Sequence, residues 1–366
     1  MTIIVYAVAS RSGGALSVLN DFYEEVRVSQ DKYPDIKWVF VLSDQKLASI
    51  GNITIVNIPW VTKSFFHRLI ANLTTVKKLY QDNQASVIVS LQNMKVFGLD
   101  KPTIVSLHNV LPLYKCGFQT LGTLKAVIKQ FFVNHAIIRS LKTARSVLVP
   151  SFWIQEELVR QFGIEKSNIK VCKTPISPSI VDSVKNSLEE PITFFYPAAS
   201  YPYKNHKVII EAIVLMERKG NYPFKVVFTF DRNQSKNATN LWLQAQPYLD
   251  KIEFCGELPR NEVLTLYSSG ILLFPSKIET DAMPLLEGMQ AHGKIIAADY
   301  PYAKEVLDGY DNILFFEGDS PSSLAEKMTE IISTGAFPTN LSSKSANMTK
   351  TFNSRVDTII ESLSDI

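Results

Sequence analysis

Short β-rich runs alternate with helical stretches in two successive sets along this chain, and a proline-rich break separates the sets. In the first set the strand-like runs are Ile3–Ala9, Trp38–Leu42, Ile53–Ile58, Ser86–Leu91, Thr103–Leu107 and Ser146–Val149. Helical spacing occupies Ala15–Val28, Phe65–Gln81 and Leu121–Leu141. Strands that each lead into a helix predict a parallel, doubly wound sheet, since a parallel partner needs a long crossover. The break is Thr174-Pro175-Ile176-Ser177-Pro178, ahead of the polar stretch Asp182–Glu190, and reads as an inter-domain linker. The second set runs strand Thr193–Tyr196, helix Asn205–Lys219, strand Lys225–Phe230, helix Asn237–Leu249 and strand Ile252–Phe254. It continues with helix Arg260–Ser268, strand Ile271–Phe274, helix Pro284–His292, strand Lys294–Ala298, strand Ile313–Phe315 and helix Pro321–Ile332. Thr334–Thr351 is polar and loop-like, and Phe352–Leu363 reads as a terminal helix with apolar positions at Val356, Ile359, Ile360 and Leu363. Two domains are expected, 1–175 and 191–340, with the helix 352–366 packing back on the first.

At 366 residues each domain can bury its own core. No stretch approaches the roughly 20 uninterrupted apolar residues of a membrane span. Met1–Tyr6 lacks a basic n-region and a cleavage site, so it reads as a first strand. Cys116, Cys172 and Cys255 are scattered without metal-ligand spacing and are expected to be reduced thiols in a cytoplasmic protein. Net charge is +3, but residues 1–175 carry 21 Lys/Arg against 11 Asp/Glu, and the excess is densest between Trp60 and Val149. That asymmetry predicts an anionic partner for the first half. Phe65, Phe66, Arg68, Lys77 and Lys78, with Lys125, Lys129, Phe131, Phe132, Arg139 and Lys142, mix cations and apolar groups as a contact with an anionic membrane would require. A harmless basic face is the alternative. Nucleic acid is not expected, because no recognition motif accompanies the charge.

The densest motif is Pro275-Ser276-Lys277-Ile278-Glu279-Thr280-Asp281-Ala282-Met283-Pro284-Leu285-Leu286-Glu287-Gly288-Met289. It follows an apolar strand and enters a helix. Proline suits a first helical turn, which has a spare N–H, so Glu279 should lie on the loop and Glu287 one turn inside the helix. Such a helix start at the end of a parallel sheet is an anion site.

These residues resemble the retaining glycosyltransferases of family 4, which have the GT-B fold: two Rossmann-like doubly wound α/β domains facing across a cleft. The resemblance rests on Phe254-Cys255-Gly256-Glu257-Leu258, Leu266-Tyr267-Ser268, Leu273-Phe274-Pro275-Ser276, the E-x7-E pair Glu279 and Glu287, and Gly293, in that order. A second matched segment, Tyr196–Lys207, holds Lys204 ahead of a helix. The resemblance implies sugar transfer from a nucleotide-diphosphate-sugar to a hydroxyl with retention, as in bacterial cell-surface polysaccharide or glycolipid assembly. It implies Glu287 on the ribose hydroxyls, Glu279 near the reactive sugar carbon, and Lys204 on the diphosphate with Ser200 nearby. Backbone amides around Ala282, Met283 and Leu285 would help hold the phosphates. Relatives carry an arginine before that lysine where this chain has Ala199 and Ser200, so Arg232 or Lys207 would have to help if the lysine does not act alone. Relatives also have a glycine-aromatic-glycine where this chain has Thr280-Asp281-Ala282, which puts donor preference in doubt and brings Asp281 close to the donor.

In the first half Gly13 and Gly14 match the family's glycine loop, with a plain strand-to-helix turn as the other reading. Arg11 precedes them. His108 ends a strand at a position that contacts the donor in relatives; a buried histidine bonded to backbone is the alternative. Glu305 also matches a family position. No metal and no cofactor are expected, since lysine and helix termini do the metal ion's work in such enzymes and the chain lacks an Asp-x-Asp triplet. The expected partners are the nucleotide-sugar donor and a sugar or lipid-linked sugar acceptor, with peripheral contact at the inner face of the cell membrane. The rival functions are a non-catalytic nucleotide-sugar-binding protein and another nucleotide-sugar enzyme, such as an epimerase or phosphorylase, on the same fold.

Overall fold

The computed structural model describes residues 1–114, 117, 123–173, 190–337 and 354–363. They form two compact units, one built mainly from residues 1–114, 127–173 and 354–363 and the other from 190–337. The linker expected at Thr174–Pro178 and most of the polar stretch after Thr334 lie outside the described residues, as does Cys116.

The strands of the first unit are β1 (Thr2–Tyr6), β2 (Lys37–Leu42), β3 (Ile53–Asn57), β4 (Val87–Ser90), β5 (Thr103–Ser106), β6 (Ser146–Val149) and β7 (Ile169–Val171). They pair in parallel in the order β3-β2-β1-β4-β5-β6-β7. Its helices are α1 (Gly13–Val28), α2 (Phe65–Ala71), α3 (Lys77–Asp82), α4 (Leu124–Thr143) and α5 (Phe152–Phe162). Strand residues Ile3, Val5, Phe40 and Val89 pack on one face under Leu19, Phe22 and Val26 of α1. Ile4, Val39, Val41 and Ile88 pack on the other face with Ala71 and Val76. Both faces are apolar because both are covered, as parallel sheets require.

The expected continuous helix Phe65–Gln81 is broken by a π-helical turn, Asn72–Val76. Asn72 is buried there, accepting from Tyr6 Oη at 2.6 Å and donating to the Phe97 carbonyl at 2.9 Å. The turn coincides with a side chain drawn inward, a common setting for π-bulges. The three-residue strand β7 was not expected.

The second unit has β8 (Ile192–Tyr196), β9 (Phe224–Phe228), β10 (Ile252–Phe254), β11 (Ile271–Phe274), β12 (Lys294–Ala298) and β13 (Ile313–Phe316). Their order is β10-β9-β8-β11-β12-β13, again parallel. Helices α6 (His206–Glu217), α7 (Lys236–Ala245), α8 (Arg260–Ser269), α9 (Met283–Gln290), α10 (Pro301–Val306) and α11 (Pro321–Thr334) connect them. The last helix, α12 (Arg355–Glu361), returns to the first unit, where Val356, Ile359 and Leu363 join the α1 core. In the second sheet the order reverses between β8 and β11. In open parallel sheets ligands bind outside the carboxyl ends of the strands at such a reversal.

Candidate active site

The loops after β8 and β11 meet at this reversal. After Tyr196 the chain makes a short 3₁₀ turn, Pro202–Lys204, and enters α6 through Asn205 at φ +58°. Asparagine tolerates that left-handed position, and its Nδ2 donates to the Gly318 carbonyl at 3.3 Å. The turn aims Lys204 at Glu279 of the other loop, with Nζ donating to Oε1 at 2.5 Å. Both side chains are largely shielded, at 19% and 11% exposure. Two residues separated by 75 positions thus form one charge pair at the sheet's edge.

Glu287 is buried one turn inside α9, and both of its oxygens are engaged. Arg260 Nη1 donates to Oε1 at 2.5 Å and Tyr267 Oη donates to Oε2 at 2.9 Å. Burial pushes the Tyr267 hydroxyl well above its ordinary pKa, and the Glu287 charge adds to the effect. Each carboxylate oxygen has a second lone pair, so Glu287 can still accept from a diol. A pocket of about 470 Å³ opens beside it, lined by Pro197, Thr229, Glu257, Leu258, Arg260, Val263, Tyr267, Met283, Pro284 and Glu287. Pro197, Thr229 and Glu257 follow β8, β9 and β10, so the pocket lies at the carboxyl ends of the strands. Arg260 and Tyr267 did not stand out as functional in the sequence. Their signal was the i, i+3, i+7 spacing of Arg260, Val263 and Tyr267, which puts all three on the pocket side of α8.

Between the two glutamates the backbone turns through Ala282 at φ 45°, ψ 49°, which starts α9. A left-handed alanine costs about 1–2 kcal/mol, so this chain keeps a glycine-like turn without a glycine. Leu285 N–H donates to the Ala282 carbonyl at 2.8 Å, which spends that amide inside the first turn. Pro284 has none to give. Of the amides picked out in the sequence, those of Ala282 and Met283 stand at the helix start, and that of Leu285 is bonded within the first turn. Thr280 and Asp281 are partly buried beside them.

Ser200 is buried and tied down, its Oγ 2.9 Å from Ser235 Oγ and its carbonyl accepting from Asn237 at 2.6 Å. The two cations offered as helpers for Lys204 are engaged elsewhere. Arg232 lies over the Trp242 ring at 4.9 Å, and Lys207 pairs with Glu211 at 3.2 Å on α6. His206, the residue after Asn205, is buried against Tyr196 and Phe230, with ring centroids 4.6 and 4.9 Å away. Desolvation, followed by the Lys204 charge, pushes its pKa down to about 3.

In the first unit Gly13 opens α1 at φ +58°, and a Cβ on Gly13 or Gly14 would meet nothing within 4 Å. Open space in front of a helix start fits either reading of the glycine loop. Arg11 approaches Asp44 at 3.8 Å with both side chains exposed. His108 follows β5, its Nε2 2.7 Å from Ser106 Oγ and its N–H donating to Asn93 Oδ1 at 2.6 Å. Desolvation, then the charge of Arg355, pushes its imidazole down to about 3, so it is neutral at physiological pH. Among the described residues no group of His, Cys, Asp and Glu is placed to hold a metal ion.

Two parallel-sheet, Rossmann-like units in tandem are the ingredients of the GT-B fold, and solved structures of that class match over nearly the whole chain. The HepE protein of Anabaena, solved with UDP and glucose, aligns with a TM-score of 0.61 at 14% identity, covering 92% of this chain and 91% of that one. WaaG, a glycosyltransferase involved in lipopolysaccharide biosynthesis, aligns with a TM-score of 0.61 at 14% identity, covering 91% and 90%. Residues 180–348 match the family model described as Glycosyl transferases group 1. Among characterised proteins, the O-antigen chain mannosyltransferase of Salmonella typhimurium is 22% identical over 226 residues, 60% of this chain. That match spans 62% of the mannosyltransferase's length. A processive diacylglycerol alpha-glucosyltransferase of Acholeplasma laidlawii is 23% identical over 279 residues, 68% of this chain and 76% of its own.

Proposed function

We propose that this chain transfers a sugar from a nucleotide-diphosphate-sugar to a hydroxyl acceptor with retention of configuration, in polysaccharide or glycolipid assembly. The observation that carries the reading is the pocket beside Glu287, flanked at the same sheet edge by the Lys204–Glu279 pair. A ribose in the pocket would donate its diol to Glu287. Its diphosphate would run toward the start of α9 and Lys204, which offsets charge growing on the leaving group. Releasing Lys204 to the phosphate would free Glu279 to face the sugar. His108, neutral at physiological pH, would serve as a hydrogen-bonding group and not as a cation.

The relatives' activities, mannosyl and glucosyl transfer, direct the first experiment to GDP- and UDP-linked hexoses, titrated by calorimetry against the wild type and Glu287→Ala. The variant loses charge-assisted hydrogen bonds worth about 1.5–3 kcal/mol, so donor affinity should fall roughly tenfold to a hundredfold. Unchanged affinity and turnover would remove Glu287 from the site. Proton NMR of the product's anomeric centre tests retention directly.

A further inference from the structure

We propose that Tyr201 and Tyr203 form a platform for a pyranose ring of the acceptor, a role that rests on the transferase reading. The acceptor is then a saccharide and not a bare lipid alcohol. The two residues flank Pro202 in and before the 3₁₀ turn that leads to Lys204. Their rings are stacked, with centroids 5.4 Å apart and planes 4° from parallel. Tyr203 is partly buried, with Lys204 Nζ over its ring at 5.8 Å. Desolvation, then the Glu279 charge, pushes its hydroxyl up to about 12, so a protonated phenol stands near that carboxylate. Tyr201 is 57% exposed, so one face of its ring rests on Tyr203 and the other meets water. The mount is rigid. Tyr201 N–H donates to the Ala199 carbonyl at 2.8 Å and Lys204 N–H to the Tyr201 carbonyl at 2.9 Å. Lys277 N–H, from the loop after β11, donates to the Tyr203 carbonyl at 2.8 Å. Rings held this way are ordered before a ligand arrives, which lowers the cost of binding.

Chemistry and position name the occupant. An aromatic face is electron-rich and attracts polarised C–H groups. A pyranose offers a face of C–H bonds with hydroxyls around its edge. Groups for those hydroxyls stand close by. Lys277 Nζ and Asp319 Oδ1 pair at 2.5 Å with side chains 41% and 66% exposed, and the same Asp319 oxygen lies 3.5 Å from Asn205 Nδ2. An acyl chain would meet charge where it needs an apolar groove. A nucleobase is not the occupant, because the nucleoside end of the proposed donor lies in the pocket beside Glu287. The donor's path runs from that pocket past Lys204 to Glu279. Tyr203 stands near its end, and the open face of Tyr201 lies outside, where a second sugar has to arrive.

Saturation-transfer NMR of the full chain with GDP or UDP reads the platform, using the methyl α-pyranosides of mannose, glucose and galactose as probes. At least one glycoside should receive saturation on its ring C–H protons. Tyr201→Ala should weaken its binding about threefold to tenfold, the worth of one aromatic contact, and Tyr201→Phe should keep it. Calorimetry with GDP- and UDP-hexoses should give both variants the donor affinity of the wild type. No saturation transfer in the wild type, or equal glycoside binding by Tyr201→Ala, overturns the proposal. If Tyr201→Ala loses affinity for a nucleotide-hexose but not for the nucleotide diphosphate, the ring serves the donor's sugar and the proposal is again overturned. Glycoside binding that needs Tyr201, in a chain that takes up no nucleotide-hexose, supports the platform and refutes the donor reading instead.

Discussion

His206 and His108 are each held as neutral imidazoles with pKa values near 3, against about 6.5 in an unfolded chain. Between those values the unfolded chain takes up protons that the folded one refuses, so stability falls as pH drops from about 6.5 toward 3. His206→Phe keeps a ring against Tyr196 and Phe230 and removes one titrating group. Thermal melts at neutral and at acid pH should show a smaller acid loss in the variant than in the wild type. An equal loss would place the acid sensitivity elsewhere. His206 also bears on the candidate site, since its ring sits at the first turn of α6, immediately after the turn that aims Lys204. Nothing in its sequence position announced that burial; the aromatic residues around it come from β8, β9 and the loop beyond β9.

Among the elements, α8 and α9 act together through Tyr267 and Glu287, and the glycine after α9 holds them close. A Cβ on Gly293 would lie 2.7 Å from the Tyr267 carbonyl oxygen. Gly293→Ala therefore has to push α8 away, and overpacking of this kind costs about 1–3 kcal/mol. The variant should melt lower and bind donor more weakly, because Tyr267 and Arg260 would shift off Glu287. A wild-type melting temperature would show that the loop absorbs the methyl group. The sequence made the α9 segment legible because its cues are local: an apolar strand, Pro284 at the helix start and the E-x7-E spacing. The partners of Glu287 were not legible, since Arg260 and Tyr267 lie 27 and 20 residues away on another helix. The π turn at Asn72 was hidden for the same reason, its partner Tyr6 being 66 residues distant. At Ala282 the sequence raised an objection, the missing glycine, and the backbone takes the left-handed turn regardless.

On the scale of the whole molecule, α12 ties residues 354–363 into the first unit. Arg355 pairs with Glu25 of α1 at 2.6 Å with both side chains almost fully shielded, and Lys32 and Tyr33 hold Asp357 at 2.9 and 2.7 Å. Val356, Ile359 and Leu363 add burial worth about 1.5–3 kcal/mol each. Removing one partner of a buried pair leaves an uncompensated charge, so Arg355→Ala should destabilise by about 3–5 kcal/mol. Urea unfolding should register that loss, and Arg355→Ala with Glu25→Ala should recover part of it. No recovery in the double variant would mean that Arg355 acts through packing on the Phe22 ring, 5.3 Å away. The return of α12 also fixes an order of assembly. Translation completes the second sheet, drawn from one continuous stretch, while the core on the α1 face of the first sheet still lacks Val356, Ile359 and Leu363. The first domain to emerge is the last whose core can close.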